Sequence, residues 1–145
     1  MSDNGHDVIR AGPIEVRFRL DSGQTGGLLT MFEFSVPSQA RVPVPHSHEA
    51  FDETLYGLEG HTTWTVNGVP TRVGPGDVLF IPRGQVHGFV NTDAGTARLL
   101  SVITPGLLGP DYFREIGEVV NVPGPPDVAR IMEVMTRHGL RPARP

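Results

Sequence analysis

The chain has 145 residues, a formal charge of -4 and no cysteine, so it is about one domain long and holds neither a disulfide framework nor a thiolate site. The acidic balance, with no block of Lys or Arg, argues against nucleic acid as a partner. Eighteen glycines and fourteen prolines are scattered as punctuation, which points to a turn-rich β protein, and no apolar run reaches the ~18 residues of a membrane span. The polar start MSDNGHDVIRAG lacks an apolar signal core, so the expected location is cytoplasmic.

Ile14–Leu20 (IEVRFRL) alternates apolar and charged residues and predicts a half-buried strand. Gly23–Gly27 reads as a turn and Leu28–Val36 as a second strand. Pro37, Pro43 and Pro45 hold the approach to His46 extended. Beyond Thr54 come TLYGLEG, HTTWTV and the pair Asn67-Gly68, the strongest short hairpin signal because a type I′ turn needs φ > 0 twice. TRV, the apolar DVLFI, HGFVNT and ARLLSVI follow, separated by Gly74-Pro75-Gly76 and Pro82-Arg83-Gly84. At least eight short strands with regular turns predict a sandwich or barrel of antiparallel sheets. After Thr104 the pattern turns helical: DYFREIGE (Asp111–Glu118) suggests a short helix. Pro126–His138 is amphipathic, with Asp127 at its start and Gly139 at its end as caps. No domain boundary is needed, so residues 1–145 form one domain with a barrel at about 14–104 and a helical extension at about 108–140.

The chemistry concentrates in His46-Ser47-His48-Glu49-Ala50-Phe51-Asp52-Glu53. On a strand, residues i and i+2 share a face, so His46 and His48 can converge on one point. Glu53 opens the next strand and can add a carboxylate, and His87, in the later strand HGFVNT, is the candidate for a further ligand. Imidazoles with a carboxylate suit a divalent Fe, Mn, Ni, Cu or Zn ion. Asp52 points opposite to Glu53 on a strand and is expected at the rim. His61 is expected to be structural or at the surface. His6 falls in the polar leader and His138 at a helix C-terminus, where the dipole favours it. Asn91 reads as a turn-stabilising residue. Phe89 and Leu55, each two residues from a candidate ligand, are expected to line an apolar cavity. Tyr56 and Trp64 read as packing residues.

HSHEAFDETLYGLEG (His46 to Gly60) resembles the first motif of the cupin family, and GDVLFIPRGQVHGFVN (Gly76 to Asn91) resembles the second, with Gly76, Pro82, Gly84, His87 and Asn91 at the family spacing. Ala40 stands where the family pattern opens with Gly. The resemblance implies an all-β jelly-roll β-barrel with a metal held by His46, His48, Glu53 and His87. It also implies a metal-dependent enzyme similar to the quercetinase-like dioxygenases, acting on a small enol or phenol that chelates the metal. Glu53 would be ligand first and general base second. A non-oxidative lyase, decarboxylase or isomerase is the alternative, and a small-molecule binding module without turnover is the third. The resemblance further implies a homodimer, with the IEVRFRL strand a candidate for crossing to the partner sheet. The C-terminal segments either pack on the barrel or close over the pocket.

Overall fold

The computed structural model describes residues 8–143. Two antiparallel sheets face each other as a jelly roll, numbered here in chain order. The larger sheet runs β1 (Val8–Ala11), β2 (Ile14–Leu20), β3 (Thr30–Val36), β10 (Ala97–Thr104), β5 (Asp52–Glu59) and β8 (Val78–Ile81). The smaller runs β11 (Leu140–Pro142), β4 (His46–His48), β9 (His87–Val90), β6 (Thr62–Val66) and β7 (Val69–Val73). Strands adjacent in space are mostly distant in sequence, so the core forms only when both sheets close.

Alternation decides which side chains enter that core. On β2 the buried positions are Ile14, Val16 and Phe18, and on β3 they are Thr30, Phe32, Phe34 and Val36. On β10 they are Ala97, Leu99, Ser101 and Ile103, and on β5 Glu53 and Leu55 take inward positions. Glu53 and Ser101 are thus polar members of a face that is otherwise mainly apolar. Asn67 (φ 47°) and Gly68 (φ 82°) are both left-handed between β6 and β7, as the hairpin signal requires. Gly57 is needed for a different reason: a Cβ there would lie 1.9 Å from the Gly74 carbonyl oxygen, where β5 touches the turn between β7 and β8.

Some elements differ from the sequence expectation. Residues 22–25 form a helical turn, α1 (Ser22–Thr25), because Asp21 and Gln24 make a reciprocal capping box, and β3 begins only at Thr30. β2 lies between β1 and β3 of the same chain, so IEVRFRL presents no free edge. β1 and β11 were not predicted, being four and three residues long with too little alternation to announce themselves. Pro142 is tolerated in β11 because that strand forms the sheet's edge.

Two helices follow the barrel. α2 (Pro110–Val120) starts with Pro at its first turn and buries Tyr112, Phe113, Ile116 and Val119. Its Phe113 ring packs against Phe18, Phe32 and Phe34 at centroid distances of 5.8, 5.1 and 6.1 Å. Asn121, just past its end, donates to Arg10 O (2.7 Å) and accepts from Gly12 N (2.7 Å), fastening the helix to the β1–β2 turn. α3 (Val128–Arg137) is capped by Asp127, which accepts from Arg130 N, and it buries Ile131, Val134 and Met135. Met132 is only half-buried. Among the described residues no helix is long and apolar enough to cross a membrane.

Candidate metal centre

β4 is three residues long, and His46 and His48 leave it on one side. Antiparallel pairing sets His46 opposite His87 of β9, which delivers the third imidazole from the neighbouring strand. All three side chains are buried, and their ring nitrogens include one from each residue that all lie within 4.8 Å of one another. The ring centroids are 4.8 Å apart for His46 and His87, 4.6 Å for His48 and His87, and 5.2 Å for His46 and His48. Glu53 comes from the opposite sheet. Its Oε1 lies 3.9 Å from His48 Nε2 and 3.7 Å from His87 Nε2.

Hydrogen bonds orient these groups. His46 Nδ1 donates to Val44 O (2.9 Å) and His87 Nδ1 to Gln85 O (3.0 Å). A carbonyl only accepts, so each Nδ1 carries a proton and Nε2 is the ring nitrogen left to bind a metal. His48 stacks on Phe51 (4.5 Å, 24°). Its Nδ1 is the one buried side-chain nitrogen or oxygen without a partner among the described residues. Glu53 Oε2 accepts a 2.5 Å hydrogen bond from Ser101 Oγ.

Burial keeps the His46 and His48 imidazoles neutral. Burial, then the His87 imidazole, lowers the pKa of His46 to about 3. Burial, then His46 and His87, lowers that of His48 to about 2. Burial also pushes the Glu53 carboxyl up, against the pull of His87 and the Ser101 hydrogen bond. Three buried imidazoles gathered this closely offer ring nitrogens to one point, so His46, His48 and His87 could hold a metal ion.

The cluster forms part of an apolar cavity of about 60 Å³, whose other walls include Phe34, Trp64, Phe89, Tyr112 and Phe113. Trp64 stacks on Phe89 at 4.6 Å, and its Nε1 is taken up by Thr62 Oγ1 (2.9 Å). Phe89 therefore lines the cavity as expected, whereas Leu55 is buried in the core without reaching it. Trp64, read as packing, lines it too. Leu108, Tyr112, Phe113 and Ile116 place α2 and its approach in the wall, while α3 is not among the lining elements. Sequence reasoning missed Ser101 and Tyr112. A lone serine at an inward position of ARLLSVI was the available signal for the first; nothing marked the second.

The other candidates lie elsewhere. Asp52 points outward, where Arg83 holds it through its backbone N (2.8 Å), Nε (3.2 Å) and Nη2 (3.2 Å). His61 is half-buried at the surface beside Asp93, 3.7 Å away. His138 ends α3 and binds Glu115 of α2 at 2.5 Å. Asn91 donates to Val36 O and Gly95 O and accepts from Asp93 N, the turn-stabilising role expected of it. Ala40 joins the same turn, exchanging backbone bonds with Pro37 and Asn91. His6 lies outside the described residues.

Residues 32–103 match the family model of the cupin domain. The chain belongs to the cupin family. This cupin is 34% identical over 94 residues, 65% of the chain, to quercetin 2,3-dioxygenase of Bacillus subtilis (strain 168). It is 33% identical over 103 residues, 71% of the chain, to the tetracenomycin polyketide synthase protein TcmJ of Streptomyces glaucescens. It spans 27% of the first protein's length and 64% of the second's. Among solved structures it resembles the polyketide cyclase RemF of Streptomyces resistomycificus with a TM-score of 0.59 and 27% identity, covering 85% of this cupin and 92% of RemF.

Proposed function

We propose that this cupin is a metal-dependent enzyme that transforms a flat enol or phenol, by quercetinase-like dioxygenation. The observation that carries the reading is the meeting of three buried imidazoles with the Glu53 carboxylate inside a cavity otherwise walled by aromatic and aliphatic side chains. His46, His48, Glu53 and His87 would hold one divalent Fe, Mn, Ni, Cu or Zn ion, which supplies Lewis-acid or redox chemistry at an enol or phenol oxygen.

The chain's own groups have separable tasks. Val44 O and Gln85 O hold the His46 and His87 rings with Nε2 free, and Phe51 backs His48. Ser101 engages Glu53 Oε2, so Oε1 is the oxygen available to take a substrate proton, and burial strengthens its hold on that proton. Trp64, Phe89, Phe34 and Phe113 exclude water and offer ring faces to a planar molecule. A cavity of about 60 Å³ is far below the roughly 300–1,000 Å³ of pockets that take drug-sized ligands. The cavity would therefore have to widen to admit substrate.

A second reading keeps the ligands and the substrate class but needs no oxygen: ring closure or isomerisation. The likeness to a polyketide cyclase along 85% of the chain favours it. The homodimer belongs to the same proposal, but by a different surface from the N-terminal strand: exposed Tyr56, Val78 and Phe80 lie together on the outer part of the larger sheet. A monomer mass by light scattering would remove it.

Elemental analysis of untagged protein, wild type beside His48→Ala, tests the site. We expect close to one metal per chain, lost in the variant. No metal, and none taken up on reconstitution, overturns the proposal. An oxygen electrode with quercetin then separates the readings: oxygen uptake supports dioxygenation, and turnover without oxygen supports the second. Bound metal without turnover leaves a binding module.

A further inference from the structure

We propose that Tyr112 is a substrate-contact residue whose phenol hydroxyl donates a hydrogen bond to an oxygen of the molecule bound against His46, His48 and His87. This contact rests on the metal-site reading above, and it assigns a polar role to the α2 wall.

Polar side chains are few around the cavity. The imidazoles and Glu53 belong to the candidate centre, and the Trp64 N–H is consumed by Thr62. Tyr112 is the remaining hydroxyl-bearing side chain of the lining, and it donates no hydrogen bond among the described residues. His48 Nδ1 is the one fully buried side-chain nitrogen or oxygen left without a partner among the described residues, so the Tyr112 hydroxyl keeps an open face, and a free donor on an apolar wall makes a specificity element.

The ring is also well placed to keep its aim. It meets Phe113 at 5.0 Å and His138 at 5.4 Å, both edge-on, and His138 is itself held by Glu115. A phenol is protonated in the physiological range, so the hydroxyl serves as a donor. Tyr112 lies on the α2 wall of the cavity, whose lining holds no other side-chain hydroxyl. A planar enol or phenol with oxygens at two positions fits: one oxygen toward the histidines, a second toward Tyr112. An apolar ring without the second oxygen would leave the donor unpaired.

The test uses the full chain loaded with Co(II), whose visible spectrum reports ligand binding, with tropolone and azide as probes. Tyr112→Phe keeps the ring, and its cobalt content and melting temperature are expected to match wild type. We expect tropolone affinity to fall about tenfold in the variant, the effect of one lost hydrogen bond, while azide affinity is unchanged. Equal tropolone affinity overturns the contact. Parallel loss of tropolone and azide assigns Tyr112 to packing and overturns it as well. Cobalt uptake without tropolone binding by wild type overturns the contact and leaves the metal site standing. Failure of wild type to take up cobalt removes both.

Discussion

Ser101 Oγ lies 2.5 Å from Glu53 Oε2, across the pairing of β10 with β5, and both side chains are buried. A buried carboxylate without a partner is expensive, so this hydroxyl holds the one acidic side chain that joins the histidines. Ser101→Ala should raise the Glu53 pKa further, since the hydrogen bond acts to lower it. We expect a loss of about 1–3 kcal/mol in the metal-free protein by urea unfolding. An unchanged midpoint would show that Glu53 needs no such partner.

The two adjacent carboxylates should behave oppositely. Asp52 points outward to Arg83, and Glu53 points inward to the imidazoles. Glu53→Gln is expected to weaken metal binding about 10- to 100-fold. Asp52→Asn should leave metal content alone and cost less than about 1 kcal/mol, as an exposed ion pair does. Equilibrium dialysis against a graded metal buffer checks both, and metal loss in the Asp52 variant would reverse the assignment.

Acid should destabilise the metal-free protein well before ordinary carboxylates titrate. The folded pKa values of His46 (about 3) and His48 (about 2) lie below the 6.5 of an unperturbed imidazole. The unfolded chain therefore binds more protons, and stability present above pH 6.5 is lost as pH falls toward the folded values. Each histidine contributes a slope of up to about 1.4 kcal/mol per pH unit in that window. Glu53, whose folded pKa is raised, acts in the opposite sense and offsets part of the loss. Denaturant unfolding at pH 7 and pH 5 should show a drop of a few kcal/mol; a flat profile contradicts buried neutral imidazoles.

β11 should matter to the site although it carries no candidate ligand. Leu140 pairs with His48 and Pro142 with His46, and Glu49 N and Ala143 N donate to Gly139 O (2.9 Å) and Pro45 O (2.8 Å). Leu140 is buried and also lines the cavity. Leu140→Ala is expected to cost about 2–5 kcal/mol by denaturant unfolding. Hydrogen exchange at β4 should speed up in parallel, and unchanged exchange there would separate β11 from the centre.

Much of this molecule was legible because β structure has a period of two. His-x-His put two imidazoles on one face, Glu53 and Asp52 on opposite faces, and Asn67-Gly68 announced its own turn geometry. These are local properties, carried by neighbours in the chain. The motif spacing also ranked His87 with His46, which the register of β4 and β9 then realised.

What lay beyond the sequence depended on contacts between distant segments. Ser101 meets Glu53 across 48 positions, and Tyr112 reaches the cavity only because α2 folds back over β1 and the aromatic cluster around Phe113. β11 has no strand signal in three residues; it exists because β4 would otherwise leave an edge unpaired. Local pattern determined the strands, the turns and the candidate ligands. Tertiary closure alone decided which polar groups accompany them, because burial and hydrogen-bond partnership are properties of the closed barrel.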